Sequence, residues 1–259
     1  MVDSELTCPR GRANRESTIS RVARLAEPAP LHVRPTAELA ERVLLPGDPH
    51  RALAVAQAIL ESPKMFNHTR GLWGYTGTAP DGGLLTVQAT GMGGPSAAIV
   101  VEELIALGAR TLIRIGTCGA LGPGSRLGEL VVAREVVVAD GTSAALGAEG
   151  RLTADAGLSD ALAAAGAREV VAVSTDVFYD PREGVQQDWM RRGAEVVEME
   201  AATLLAVARR AGAAAAVLLA VSDLLHGGRR RIDAEALEAA GLDLGETAYA
   251  ALDSIAAGG

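Results

Sequence analysis

Two arginines pose the first chemical question in this chain. Arg114 lies inside the apolar run TLIRIGT, two residues before Gly116 and three before Thr117. A buried, unpaired guanidinium is prohibitively costly, so Arg114 needs an anionic partner. Inorganic phosphate is one candidate, with the Thr117 hydroxyl and a nearby backbone N–H completing the cradle; a structural glutamate is the other. Arg51 follows the turn in LLPGDPHRA, where Gly47 exposes backbone N–H groups. Its planar fork suits phosphate oxygens, and a tight turn with a solvated arginine is the simpler reading of this segment alone. In TGMGGPSAAIVVEEL, Gly91, Gly93 and Gly94 permit close backbone approach before a helix N-terminus, a favourable place for an anion. Their spacing, and the absence of a lysine, exclude a dinucleotide fingerprint or a P-loop. A plain strand-to-helix connection is the simpler alternative.

Carboxylates supply the complementary chemistry. Glu198 and Glu200 stand two apart in the apolar stretch AEVVEME. In extended backbone that spacing puts both on one face, able to grip a vicinal diol such as ribose O2′ and O3′. Otherwise they are acidic residues favoured at the start of a helix. Asp223 ends the apolar run AAVLLAVSD. Desolvation at the mouth of a buried strand would suit it to act as a general acid; capping the following turn is the other reading.

The elements that must position these residues alternate between strand and helix. RVLLP reads as a buried strand, and Gly71 to Gly91 as a β-hairpin turning at PDGG. Pro95 to Leu107 reads as a helix stopped by Gly108. TLIRIGT is a strand, LVVAREVVVAD one long strand or two short ones, and Leu158 to Ala165 a helix. EVVAVSTDVF is a strand, AEVVEME runs into the helical ATLLAVARRAG, AAVLLAVSD is a strand, and Asp233 to Ile255 the last helix. The expected fold is therefore α/β, one domain over residues 31–259 with a central mixed sheet flanked by helices. Ligands in such sheets sit beyond the carboxyl ends of strands, where four of the motifs fall. Residues 1–30 carry no sustained period and read as a mobile extension.

Composition excludes several function classes. A net charge of −8 argues against a nucleic-acid binder. It does not exclude an anionic substrate: a diffuse field is screened over about 8 Å, while an arginine touching phosphate contributes about 4 kcal/mol. No apolar run approaches the roughly 18 residues of a membrane span, and no secretory signal is visible. Cys8 and Cys118 have no metal-ligand spacing and form no disulfide framework. The expectation is a cytoplasmic protein with no membrane or nucleic-acid partner.

GDPHRA, NHTRGLWGYTGT, GMGGPSAAIVVEEL, RIGTCGA, VEMEAATLL and AVSD follow one another in the order and spacing of the bacterial nucleoside phosphorylases of the uridine/purine type. The resemblance runs from His32 to the C-terminus, and ERVLLPGDP with RGLWGYTG is most similar to the hexameric purine nucleoside phosphorylases. It implies phosphorolysis of purine nucleosides for salvage, a pentosyl transfer giving free base and (deoxy)ribose 1-phosphate. Inorganic phosphate is the co-substrate, with no metal or organic cofactor. By the same resemblance Gly47, Arg51, Arg114 and Thr117 bind phosphate, joined by Arg70 from a neighbouring subunit of a homohexamer with shared sites. Met199 and Glu200 hold the ribose with Glu198 nearby, and His32 of the neighbour meets the 5′-hydroxyl. Phe178 stacks on or beside the base, and Asp223 beside Ser222 hydrogen-bonds or protonates purine N7.

Two departures bear on the base. Uridine-specific members carry a Gln and an Arg after an FYPG-like segment; here FYDPREG has Arg182 and Gly184 at those places, which weakens the pyrimidine reading. Purine members often carry an arginine in the final helix beside the aspartate. This chain has no clean counterpart, and Arg229, Arg230 and Arg231 read as a solvated basic loop. The alternatives are a phosphorylase of uridine or another pyrimidine or 5′-modified nucleoside, a nucleoside hydrolase, and a silent nucleoside-binding protein. A hydrolase has no need of Arg51, Arg70 and Arg114 in one place.

Overall fold

The computed structural model describes residues 30–258. The extension expected over residues 1–30 therefore lies, apart from Pro30, outside the described residues, as does Cys8. The segment Pro46–Pro49 both ends strand β1 (Arg42–Pro46) and starts helix α1 (Pro49–Ile59). Asp48 accepts the His50 N–H at 3.0 Å, and Pro49 occupies a first-turn position that has no donor to satisfy. The Asp-Pro pair is a helix-start signal, and the sequence reading stopped at the turn.

The hairpin forms as expected, from β3 (Gly74–Thr78) and β4 (Leu84–Gln88). An unexpected strand, β2 (Glu61–Asn67), adds to its edge. Helix α2 (Gly94–Leu107) leads to the ten-residue β5 (Thr111–Ala120). LVVAREVVVA forms a single strand, β6 (Leu130–Ala139), whose register against β8 (Arg168–Thr175) slips at Arg134. Short elements fill the connections: α3 (Gly141–Ala145), β7 (Arg151–Thr153), α5 (Val185–Arg191) and β9 (Val196–Glu198). Between them α4 (Ala156–Ala164) starts where Asp155 accepts the Leu158 N–H at 2.9 Å. The chain ends through α6 (Ala201–Ala211), β10 (Ala214–Leu224), the two-residue β11 (Arg230–Arg231) and α7 (Ala234–Gly258).

One mixed sheet results, and half of it closes on itself. β10 runs parallel to β5 and antiparallel to β6; β6 pairs with β8, β8 with β9, and β9 returns to β5. β1, β4, β3 and β2 extend from β5 as an open wing. Alternation along the two central strands feeds two apolar layers. Leu112 of β5 and Val217, Leu219 and Val221 of β10 pack with α2 and α6. Ile113, Ile115, Ala216, Leu218 and Ala220 pack with α1, α4 and α7. Both layers are built mainly from Ala, Val, Leu and Ile, as the shortage of aromatics requires. No described helix is long and apolar enough to cross a membrane.

Candidate active site

The parallel strands β1, β4 and β5 end side by side, and of the predicted anion-binding arginines Arg51 and Arg114 approach that end from opposite faces of the sheet, while Arg70 does not. Arg114 emerges on the α2/α6 side and folds back over Gly116. A methyl group on Gly116 would lie 2.7–3.1 Å from three guanidinium atoms, so only glycine leaves that path open. Nε donates to Glu198 Oε2 at 2.9 Å, and the other end of the guanidinium meets Glu200. Glu198 also accepts the N–H groups of Glu200 and Ala201 at 2.8 and 2.9 Å, and the Ser174 hydroxyl.

Fully enclosed, Glu198 thus caps α6 and clamps Arg114. Its place is behind Arg114 and Glu200, holding both. The structural ion pair and the helix-start role that the sequence left open are both present. Glu200 adds a contact that sequence reasoning missed, accepting the N–H of Gly93 and tying the glycine turn to the start of α6. Burial pushes the Glu200 carboxyl up, against the pull of Arg114 and with added repulsion from Glu198. Met199, between the two glutamates, is half-buried.

Arg51 approaches from α1 on the opposite face. It lies against α7, where a methyl on Gly241 would come within 3.3 Å of its Nε. Burial, opposed by Asp48 and reinforced by Arg114, holds the Arg51 guanidinium below its ordinary value. Among the described residues Arg51 makes no ion pair, and Asp48 acts on it only at longer range, while Glu198 and Glu200 are both committed to Arg114. Gly47 forms the floor: a methyl there would sit 3.3 Å from the Gly91 carbonyl oxygen. Thr117 is half-buried, and strand alternation sets it with Ile113 and Ile115 on the Arg51 side.

The end of the site around Asp223 is built by an irregularity. Pairing between β10 and β5 shifts register between Val221 and Asp223, making Ser222 the extra residue and setting Asp223 opposite Gly119. Ser222 donates to the Cys118 carbonyl at 3.3 Å or to Asp223 Oδ2 at 2.9 Å. The hairpin from β10 to β11 brings Arg231 opposite Asp223 and folds Arg229 over it. Arg229 donates to Asp223 Oδ1 through Nε and its terminal nitrogen, both at 2.8 Å, while Arg231 stands 3.4 Å away. The basic loop expected to be merely solvated is therefore the partner of Asp223. The sequence showed three arginines but no sign of the two-residue strand that aims them. Phe178, largely exposed after β8, packs its ring 5.4 Å below the Arg229 guanidinium. Arg182 is turned back onto Asp180, and Gly184 starts α5.

His32 and Arg70 are not brought to this recess. His32 Nδ1 lies 2.8 Å from Glu103, which also accepts the N–H groups of Leu31, His32 and Val33. Burial raises the Glu103 carboxyl, and these hydrogen bonds outweigh it, holding Glu103 below its ordinary value. Glu103 is nine residues along α2, roughly 14 Å from its start at 1.5 Å per residue. Arg70 sits exposed on the turn Thr69–Gly71 with φ 58°, a left-handed conformation unusual for arginine. Buried Asn67 holds that turn, donating to the Leu72 carbonyl at 2.6 Å and accepting from Thr69 and Arg34. Neither Asn67 nor Glu103 stood out in sequence, because each acts through backbone contacts remote from its own position. Among the described residues no cluster of three His, Cys, Asp or Glu side chains is placed to hold a metal ion.

Two arginines, two carboxylates one strand away and an aspartate on β10, opposite the β5 residue three beyond Gly116, thus line the same end of the sheet. The family model described as the phosphorylase superfamily matches residues 41–257, and the chain belongs to that family. Its relatives include the DeoD-type purine nucleoside phosphorylase of Geobacillus kaustophilus (strain HTA426), 39% identical over 197 residues, covering 73% of this chain and 83% of the relative. The DeoD-type enzyme of Roseobacter denitrificans (strain ATCC 33942 / OCh 114) is 39% identical over 201 residues, with 74% and 85% covered. That of Jannaschia sp. (strain CCS1) is 40% identical over 197 residues, with 73% and 84% covered.

Proposed function

We propose that this chain is a cytoplasmic purine nucleoside phosphorylase, splitting the N-glycosidic bond with inorganic phosphate to give free base and pentose 1-phosphate. The observation that carries the reading is Arg51: a desolvated guanidinium that makes no ion pair, near enough to Arg114 to feel its charge. The two cations leave room for a polyvalent anion, and a phosphate there would accept from both. The ribose diol falls to Glu200 and Met199. The base lies toward Phe178 and Asp223. The dimensions support this order: Gly119, opposite Asp223, is three residues beyond Gly116, roughly 10 Å at 3.3 Å per residue. That is the span of a phosphate, the ribose above it and the near edge of a base.

As the bond stretches, the sugar becomes oxocarbenium-like and the base anionic. Phosphate below the ring stabilises the cation and attacks C1′. Fixing phosphate and sugar together removes much of the entropic barrier. The mechanism needs no metal or organic cofactor. His32 and Arg70 serve the site of a neighbouring copy in a homo-oligomer, the hexamer implied by resemblance, because in their own chain they stand away from the recess.

A panel of inosine, guanosine, adenosine and uridine in saturating phosphate tests the base class. Purine nucleosides should exceed uridine in kcat/KM by at least about 10²-fold, the scale of an unfilled polar base site. Uridine cleavage at a rate equal to the purines would replace this reading with the pyrimidine one.

A further inference from the structure

We propose that Gly241 of α7 is a positioning residue for the phosphate site, keeping the Arg51 guanidinium in place by presenting it with bare helix backbone; this rests on the phosphorolysis reading. Arg51 needs such support. Among the described residues it makes neither an ion pair nor a side-chain hydrogen bond. Burial disfavours its charge, Arg114 repels it, and Asp48 attracts it only at longer range. Packing is what remains to fix its place. The side chain lies lengthwise along α7: a methyl on Gly241 would stand 3.3 Å from Nε and 3.7 Å from both Cδ and Cγ. Carbon atoms pack best at about 3.5–4.0 Å, so Arg51 already fills the space that a side chain at 241 would take.

A group added there displaces the arginine and not the helix. α1 and α7 are locked together one turn further along, where a methyl on Gly245 would meet Val55 Cγ1 at 2.6 Å and Ile59 Cδ1 at 3.2 Å. Ala52, Val55 and Ala56 share a buried layer with Leu244 and Ala248. The two glycines, four apart on one face of α7, therefore do different work. Gly245 admits a hydrocarbon side chain and sets the spacing of the helices. Gly241 admits a charged side chain that no bond retains and that is free to change rotamer. Alanine at 241 asks Arg51 to give by a few tenths of an ångström, and the two methyls of valine ask for more. Misplacing a positioning group by about 1 Å can cost on the order of 10²-fold in rate. Gly241 lies past the first turn of α7, where glycine is a poorer helix former than alanine. Stability alone favours alanine there; the room for Arg51 favours glycine.

The experiment measures phosphorolysis of inosine at varied phosphate, with thermal melts, in wild type, Gly241→Ala, Gly241→Val and Gly245→Ala. Gly241→Ala should raise the phosphate KM about threefold or more and Gly241→Val at least about 10-fold, with the inosine KM within about twofold of wild type. The Tm of Gly241→Ala should equal or exceed that of wild type. Gly245→Ala should instead lower the Tm, with a smaller change in phosphate KM than Gly241→Ala. Equal rises in phosphate KM in the two alanine variants, or a Gly241→Val phosphate KM within about twofold of wild type, overturn the assignment. Calorimetry with inorganic phosphate reads the contact without turnover and includes Arg51→Ala. If Arg51→Ala binds phosphate as wild type does, the phosphorolysis reading fails instead. If Arg51→Ala has lost binding while Gly241→Val keeps it within about twofold, Gly241 does not position Arg51.

Discussion

Arg114→Ala should lower kcat/KM by on the order of 10²-fold or more, the scale of losing one electrostatic stabiliser of the transition state. The same substitution should also cost about 3–5 kcal/mol of stability, because it leaves Glu198 and Glu200 buried without their cation. The two effects separate on inspection of Glu198→Gln. That variant keeps the enclosed hydrogen bonds in large part and leaves Arg114 its partner Glu200, so it should fold better than Arg114→Ala. Steady-state phosphorolysis and urea melts measure both quantities. A threefold or smaller loss of activity in a folded Arg114→Ala protein removes Arg114 from the site.

The second large effect should appear only between subunits. Arg51 lies in the recess of its own chain, whereas Arg70 stands on an exposed turn and His32 is held on Glu103. Arg51→Ala and Arg70→Ala should each be nearly inactive. When the two are unfolded, mixed equally and refolded, about half of the pairs should be heterodimeric, each with one intact and one doubly defective site. Activity should return to roughly a quarter of wild type by that symmetry. If size-exclusion chromatography shows reassembly and activity stays at the level of the single variants, the sites are not shared.

Much of this architecture is legible without coordinates, for a physical reason. β1 and β10 are buried at every residue but the first and read as near-continuous apolar runs, while β5, β6 and β8 carry charged residues yet stay legible through the apolar residues around them. β2 does not, since an edge strand containing Ser62, Pro63 and Lys64 has no apolar alternation to detect. β7, β9 and β11 are two or three residues long and exist only through their partners. The same division runs through the site. Arg114 and Asp223 stood out because a charge inside or at the end of an apolar run needs an explanation, Arg51 because it follows a glycine turn, and Glu198 with Glu200 because of their spacing. The clamp of Glu198 on Arg114 depends on β9 pairing with β5, and the grip of Arg229 on Asp223 depends on a short hairpin. Neither partnership leaves a mark in local sequence.

The central claim is that a bound phosphate, and not water, takes the pentose. Inosine incubated with the enzyme and phosphate should yield hypoxanthine and ribose 1-phosphate in equal amounts, with the rate falling toward zero as phosphate is removed. Equal release of hypoxanthine in phosphate-free buffer, accompanied by free ribose, would contradict the account.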